Sequence, residues 1–347
     1  MHDCGHFPAA ARLRRGRFRA GFRAPAGAVA AALAACAVLV AAAVVLLLRR
    51  FASSLPRAIP GERMLHQRPV PRVGGLAILA GSLPAALLAP AAVPGPWSGW
   101  LAAFAAVTLV SLADDARGVN VLARLAVHLA AAAGVAWLAF GPTPQALLAA
   151  VVIAWGANLY NFMDGSDGLA GTMGLAGFAA YALVAWHAGL PWVLFAAIAL
   201  ACIPFLAANR PPAALFMGDV GAVPLGFAAA GLGAAGVATG AWGAWFPALA
   251  FLPFLADASV TLALRALRGE RVWRAHRSHF YQRLNVAGAG HRGTLAVYAA
   301  LMLACATLAV ACALLRPAAG WSALAVAALA HAFVFAAIDY HARKSGA

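Results

Sequence analysis

LAVHLAAAAGVAWLAFGPTPQALLAAVVIAWGANLYNFM, residues 125–163, runs for 39 residues without Asp, Glu, Lys or Arg. One membrane-crossing helix needs about 20 apolar residues, so this run is two spans long. Its middle, Gly141-Pro142-Thr143-Pro144, breaks any helix that enters it. The stretch therefore reads as a hairpin of two transmembrane helices, and that reading decides the fold.

The same count extends outward. Stretches 26–48, 73–113, 168–209, 220–256, 293–315 and 317–338 also lack Asp, Glu, Lys and Arg. The three longest hold two spans each and the others one, which gives eleven helices in all. Breakers mark the remaining hairpin tips: PGPWSGW from Pro94, HAGLPW from His187 and TGAWGAW from Thr239. Trp97, Trp100, Trp192, Trp242 and Trp245 gather at these tips, as an interfacial aromatic belt does.

Composition agrees. The 347 residues are 64% hydrophobic and 10% charged, with a mean hydropathy of +0.85, whereas soluble domains carry about 25% charged residues. Long apolar runs rather than period-two alternation exclude a barrel. The expected fold class is all-α: a polytopic integral membrane protein of about eleven transmembrane helices. Residues 1–25 form a basic tail, 26–338 a single membrane domain, and 339–347 a cytoplasmic C-terminal tail.

The six arginines before Ala26–Leu48 resemble the start of a signal peptide, and Leu33-Ala34-Ala35-Cys36 resembles a lipoprotein box. That apolar run is too long for a signal core, and more membrane follows it, so it reads as the first span. None of the five cysteines forms a C-x-x-C pair, and all but Cys4 lie in apolar runs. They read as small hydrophobes rather than as a metal site or disulfide framework.

Because each hairpin crosses the membrane twice, the segments between hairpins share one face. Segments 49–72, 114–124, 164–167, 210–219 and 265–292, with the C-terminal tail, hold 18 of the 25 Lys and Arg. The positive-inside rule makes that face cytoplasmic. By parity the Arg-rich N-terminal tail falls on the other face, against the rule. A parity off by one, or a start codon placed too early, would reconcile it.

The shared face also gathers Asp114, Asp115, Asp164, Asp167 and Asp219, half the acids of the chain, with His276 and His279. Carboxylates collected this way at the edge of an apolar bundle point to a divalent cation with a phosphorylated ligand, or to an ion or proton path. In SLADDARG (111–118), Asp114 and Asp115 either cap the next helix or hold Mg²⁺ or a proton. NLYNFMDGSDGLAG (158–171) says more. Capping accounts for Asp167 but not for the series Asn158, Asn161 and Asp164, spaced three apart at a helix end.

ANRPPAALFMGDVG (208–221) sets Asp219 in a Gly-flanked turn, and Pro211 and Pro212 shape the loop before it. Phe216 in that loop is either an interfacial aromatic or a platform for a base. RGERVWRAHRSHFYQRL (268–284) is either an amphipathic helix on anionic lipid or a diphosphate clamp through His276, Arg277 and His279. QRPVPRVGG (67–75) offers Arg68 and Arg72 to a phosphate or serves as topogenic charge. Asp257, inside the ninth span, is functional by default, with an ion pair to Arg265 or Arg268 as the plain alternative.

Taken in order, these motifs resemble the polyprenyl-phosphate N-acetylhexosamine-1-phosphate transferase family (glycosyltransferase family 4). Its superfamily includes the phospho-MurNAc-pentapeptide translocase. The resemblance covers about Arg68 to Leu284: RPVPRVGG, the aspartate pair, NFMDGSDGLAG, FMGDVG and AHRSHFYQRL. It implies a Mg²⁺-dependent enzyme, with Mn²⁺ as a substitute, in the bacterial inner membrane. The enzyme would move a sugar-1-phosphate from a UDP-sugar to undecaprenyl phosphate and release UMP. Carried over residue by residue, it makes Asp219 the metal ligand with Asn161 as helper, and Asp114, Asp115 and Asp164 the catalytic carboxylates. Arg124 would contact the lipid phosphate. Asp167, Asn209 and Phe216 would face the uridine, and His276 and Arg277 the diphosphate.

Two departures stand out. Ala222 occupies a position where the family commonly has serine, and HRSH replaces the triple-histidine run of the pentapeptide translocase. The segment looks more like enzymes that begin O-antigen or other surface glycans with an N-acetylated amino sugar. Expected partners are the UDP-sugar, the lipid phosphate and the bilayer, with no nucleic acid; a homodimer is left open. The competing class is a secondary transporter, which predicts acids near mid-membrane and inverted repeats. Only Asp257 lies clearly inside a span, and no internal repeat is visible.

Overall fold

The computed structural model describes residues 27–58, 69–272 and 276–344. The basic tail through residue 25 and Arg68 lie outside the described residues.

The chain is a helical bundle whose outer surface, like its core, is apolar. In chain order the helices are α1 (Gly27–Arg50), α2 (Gly75–Leu88), α3 (Trp97–Arg117), α4 (Val121–Phe140), α5 (Pro144–Met163) and α6 (Leu169–His187). They continue with α7 (Val193–Asn209), α8 (Asp219–Ala238), α9 (Trp245–Ala250), α10 (Leu252–Leu267), α11 (Phe280–Leu284), α12 (Gly290–Leu315) and α13 (Gly320–Lys344). Among the described residues, eight helical segments are long and apolar enough to cross a membrane. The other three expected spans fall on shorter helices. Helices α2 and α7 are apolar but short, at 14 and 17 residues. The ninth span is split at Phe251 into α9 and α10, with Pro247 and Pro253 on either side of the break.

The hairpin tips fall where the breakers predict: 89–96, 141–143, 188–192 and 239–244 separate consecutive helices. Residues 339–344 of the expected C-terminal tail continue α13 through Lys344. Asp339 holds it there, pairing with Arg283 at 2.5 Å and with Arg343 at 2.7 Å.

Large apolar side chains cover the outside, with Leu88, Leu147 and Phe333 exposed by 72–76%. In water that surface would be costly; against lipid it is the expected one. The interior holds Tyr160, Phe178, Tyr181, Phe205, Phe246 and Phe254, and helices α6 and α8 run through its middle. Close approach relies on small residues, as membrane packing does. A Cβ on Gly75 of α2 would stand 2.1 Å from Cα of Gly221 on α8. Of the four free cysteines among the described residues, Cys202, Cys305 and Cys312 are buried and Cys36 is half-buried.

A short antiparallel ribbon, β1 (Arg57–Ala58) against β2 (Val70–Pro71), closes the segment between α1 and α2. It brings Arg72 to the end of the bundle where α3, α5 and α7 finish and α8 begins.

Candidate active site

The helix ends at this face converge on one cavity of about 220 Å³. Arg72, Asp115, Asn161, Asp164, Asp167, Asn209, Phe216 and Asp219 line it, with Gln282 and His291. Hairpin counting put these loops on one face; the fold puts them around one space.

Asp115 ends α3 and is buried. Its Oδ2 accepts from the Val220 amide at 2.8 Å, at the start of α8, and its Oδ1 lies 3.6 Å from Arg72 Nε. Arg72 also donates to the Asp115 carbonyl at 2.9 Å. Asp114 accepts from the Val119 amide at 2.7 Å through Oδ1 and pairs with Arg124 through Oδ2. Arg124 Nη1 reaches on to Asp219 Oδ2 at 2.9 Å. One guanidinium thus ties the aspartate pair to the aspartate of FMGDVG. Neither Asp114 nor Asp115 caps the next helix; Asn120 does, accepting from the Leu122 amide at 2.8 Å.

Asp219 opens α8, and Asn161 Nδ2 approaches its Oδ2 at 3.4 Å. The residue before it, Gly218, has φ of +75°, a left-handed conformation that favours glycine. A Cβ there would lie 1.8 Å from the Arg72 carbonyl oxygen, so two motifs 146 residues apart touch through bare backbone.

The turn after α5 carries Asp164 and Asp167. Burial, and then the negative charges of Asp219 and Asp115, push the Asp164 carboxyl well above the usual carboxylate range, against the pull of the Gly218 amide. Asp167 is buried and accepts from the Ala213 amide at 2.9 Å, so it clasps the 210–218 loop rather than capping α6. Asn209, also buried, works the same junction. Its Oδ1 accepts from Gly168 N at 2.9 Å and its Nδ2 donates to the Leu215 carbonyl at 2.8 Å. Phe216 lines the cavity from that loop. Asn158 points elsewhere, donating to the Ala154 carbonyl one turn back at 2.8 Å.

Sequence reasoning overlooked His291 and Gln282. His291, on the first turn of α12, has Nδ1 3.4 Å from Asp167 Oδ1 and 3.2 Å from the Asp167 amide. Its place between Gly290 and Arg292, just before an apolar run, was the available signal. Gln282 accepts from His279 N at 3.2 Å.

Among its described residues, the His/Arg segment is helical at α11. His279 is buried and caps α11, with Nδ1 3.3 Å from Asp257 Oδ1, and it does not line the cavity. His276 stacks near it with ring centroids 4.8 Å apart. Burial, then the nearby His279 and Arg265, pull its imidazole down to about 4, so it is neutral at pH 7. Arg277 follows it in the same loop. Asp257 has neither of its expected arginine partners; Arg265 pairs with Glu270 at 2.7 Å instead.

Four carboxylates, Asp114, Asp115, Asp164 and Asp219, therefore face two guanidiniums, Arg72 and Arg124. The donors are all oxygen, the chemistry that suits Mg²⁺, and the Asp164 carboxyl, raised first by burial, is raised further by Asp219 and Asp115, whose charge a divalent cation would offset. Among the described residues no three acidic, His or Cys side chains yet converge on one point, because Arg124 stands between Asp114 and Asp219. The chemistry of the donor set fits such an ion.

Comparison with known proteins gives the site a context. The sequence model of glycosyl transferase family 4 matches residues 97–237, which spans the aspartate pair, NFMDGSDGLAG and FMGDVG. The chain is 32% identical over 219 residues to the decaprenyl-phosphate N-acetylglucosaminephosphotransferase of Mycobacterium leprae, covering 52% of this chain and 54% of that protein. It is 31% identical over 230 residues to the Mycobacterium tuberculosis protein of the same name, covering 54% and 56%. The phospho-N-acetylmuramoyl-pentapeptide-transferase of Chlamydia muridarum matches at 38% over 84 residues, 23% of this chain and 25% of that one. The chain spans about half the length of the mycobacterial relatives that it matches.

Proposed function

Residues 97–237 match the sequence model of glycosyl transferase family 4, and on that premise we propose that the chain is a member of that family and transfers an N-acetylhexosamine-1-phosphate from a UDP-sugar to a polyprenyl phosphate. A lipid-phosphate oxygen forms a bond to the sugar-bearing phosphorus, the bridge to the uridine-bearing phosphorus breaks, and UMP leaves with that oxygen. The product is a lipid-linked sugar diphosphate, the starter of an envelope glycan. The convergence of Arg72, Asn161, Asp164 and Asp219 on one cavity at one bundle end carries this reading.

Phosphoryl transfer depends mainly on positioning and charge neutralisation. A cavity of about 220 Å³ suits the charged centre of a ligand rather than a whole nucleotide sugar. Arg124, bridging Asp114 and Asp219, is positioned to receive the anionic acceptor at the bilayer face. Asp114 or Asp115 takes the acceptor's proton where it carries one. Asp167, Asn209 and Phe216 form the uridine side, and His276 and Arg277, in the loop before α11, are assigned to the diphosphate. Mg²⁺, or Mn²⁺ in its place, held by Asp219 with Asn161, would supply positive charge to the diphosphate and the leaving UMP.

The longer match to the N-acetylglucosamine relatives, together with HRSH in place of three histidines, favours a UDP-N-acetylated amino sugar over the MurNAc-pentapeptide donor. The acceptor is undecaprenyl or decaprenyl phosphate, and the site faces the cytoplasm of a bacterial inner membrane, where nucleotide sugars and the Lys/Arg-rich loops coincide. The test is purified protein with either lipid phosphate, Mg²⁺ and a panel of UDP-N-acetylhexosamines, following UMP. Turnover with at least one donor is expected; none with any donor contradicts the proposal.

A further inference from the structure

Asp257 is fully buried inside α10, a costly place for a carboxylate unless every lone pair is used. It is used completely. Oδ1 accepts from Phe280 N at 3.0 Å and Thr261 Oγ1 at 3.2 Å, and lies 3.3 Å from His279 Nδ1. Oδ2 accepts from Tyr281 N at 2.9 Å and from the Tyr298 hydroxyl. An asparagine of the same shape would turn an NH₂ toward these donors, which explains why an acid stands here.

Two of these partners lead back to the cavity. The Tyr281 hydroxyl donates to the Phe162 carbonyl at 3.0 Å, in the backbone between Asn161 and Asp164. It lies directly against the following turn, since a Cβ on Gly165 would meet it at 2.1 Å. Tyr298 lies on α12 seven residues after His291, two turns along the same face, and His291 meets Asp167. The path from Asp257 through Tyr281 to the 161–167 turn, and back through Asp167, His291 and Tyr298, is closed.

We infer that Asp257 and Tyr281 are positioning residues: this closed ring sets the distance between the α11–α12 wall of the cavity and the turn that carries Asp164 and Asp167. The inference rests on the transferase reading for its kinetic consequence, and on the hydrogen bonds alone for its structural one. Neither residue touches substrate. They hold the donor wall, while the acceptor side, at Arg124 and Asp114, hangs on α3 and α4, outside the ring.

The test compares Tyr281→Phe with Tyr181→Phe. The second variant also deletes one buried tyrosine hydroxyl, which donates to the Ala229 carbonyl at 3.0 Å, but it is remote from the ring. Tyr281→Phe is expected to raise the KM for the UDP-sugar by about tenfold, the worth of one buried hydrogen bond. The KM for the lipid phosphate should stay within twofold, and Tyr181→Phe should change neither. Amide hydrogen exchange across 161–168 should accelerate in Tyr281→Phe and in Asp257→Asn, and not in Tyr181→Phe. Exchange needs no turnover, so an inactive wild type would sink the transferase reading while still deciding this one. Unchanged exchange at 161–168 overturns the inference. So does a donor KM unmoved in an active Tyr281→Phe enzyme, or an equal rise in both KM values.

Discussion

Gly218→Ala is the sharpest perturbation of the site, because two separate effects meet at that position. At φ of +75° an L-residue is strained, at a cost of roughly 1–2 kcal/mol. The new methyl would also lie 1.8 Å from the Arg72 carbonyl oxygen, so backbone must part by roughly 1.6 Å to reach ordinary contact. That movement carries Asp219 away from Arg124 and Asn161. A misplacement of about 1 Å in a phosphoryl-transfer site can cost about 100-fold, so kcat/KM should fall by at least that factor. The control is Gly141→Ala, with φ of +67° and nothing within 4 Å of the added Cβ, at the far end of the bundle. It bears the conformational strain alone and should lower thermal stability while leaving turnover per folded molecule intact. The assay is UMP release by detergent-purified protein, normalised to the folded fraction from size-exclusion chromatography. Gly218→Ala keeping more than about a tenth of wild-type kcat/KM, or Gly141→Ala losing as much as Gly218→Ala, would refute the reasoning.

Other positions are predicted as directly. Arg124→Gln leaves Asp114 and Asp219 facing each other without a bridging cation; it should destabilise the protein by about 1–3 kcal/mol, with Mg²⁺ restoring much of the loss. A melting temperature equally low with and without Mg²⁺ counts against that arrangement. Asn209→Ala orphans the Gly168 amide and the Leu215 carbonyl at about 1–3 kcal/mol each, measurable by thermal denaturation. The His276 pKa is depressed from 6.5 to about 4, so the unfolded chain binds its proton first. Stability from this group is complete above about pH 7 and is lost as pH falls from 6.5 toward 4. His276→Gln should flatten that part of the melting-temperature profile, and an unchanged profile would exclude the group.

Much of this was legible in the chain, for a physical reason. Lipid makes length and charge-free composition decisive, so the hairpin tips at Pro94, Gly141, His187 and Thr239 could be read directly. The split at Phe251 was hidden, since an apolar run looks the same whether continuous or broken. In the site, acids conspicuous against an apolar background were found: Asp115, Asp164, Asp167 and Asp219 all line the cavity. What single positions could not reveal was the use each side chain is put to. Asp257 read as functional by default or as one half of an ion pair with Arg265 or Arg268, and its partners proved to be two backbone amides, two hydroxyls and an imidazole. His291 was overlooked because it contacts Asp167 only after 124 residues of chain fold back.

The central claim, that the acids at this bundle end perform Mg²⁺-assisted transfer, is tested most directly by UMP release from wild type and Asp219→Ala side by side, with lipid phosphate and donor saturating and Mg²⁺ present or removed by chelator. Wild type should release UMP only with Mg²⁺, and the folded Asp219→Ala protein should release none above background. Turnover that survives Asp219→Ala would contradict the account.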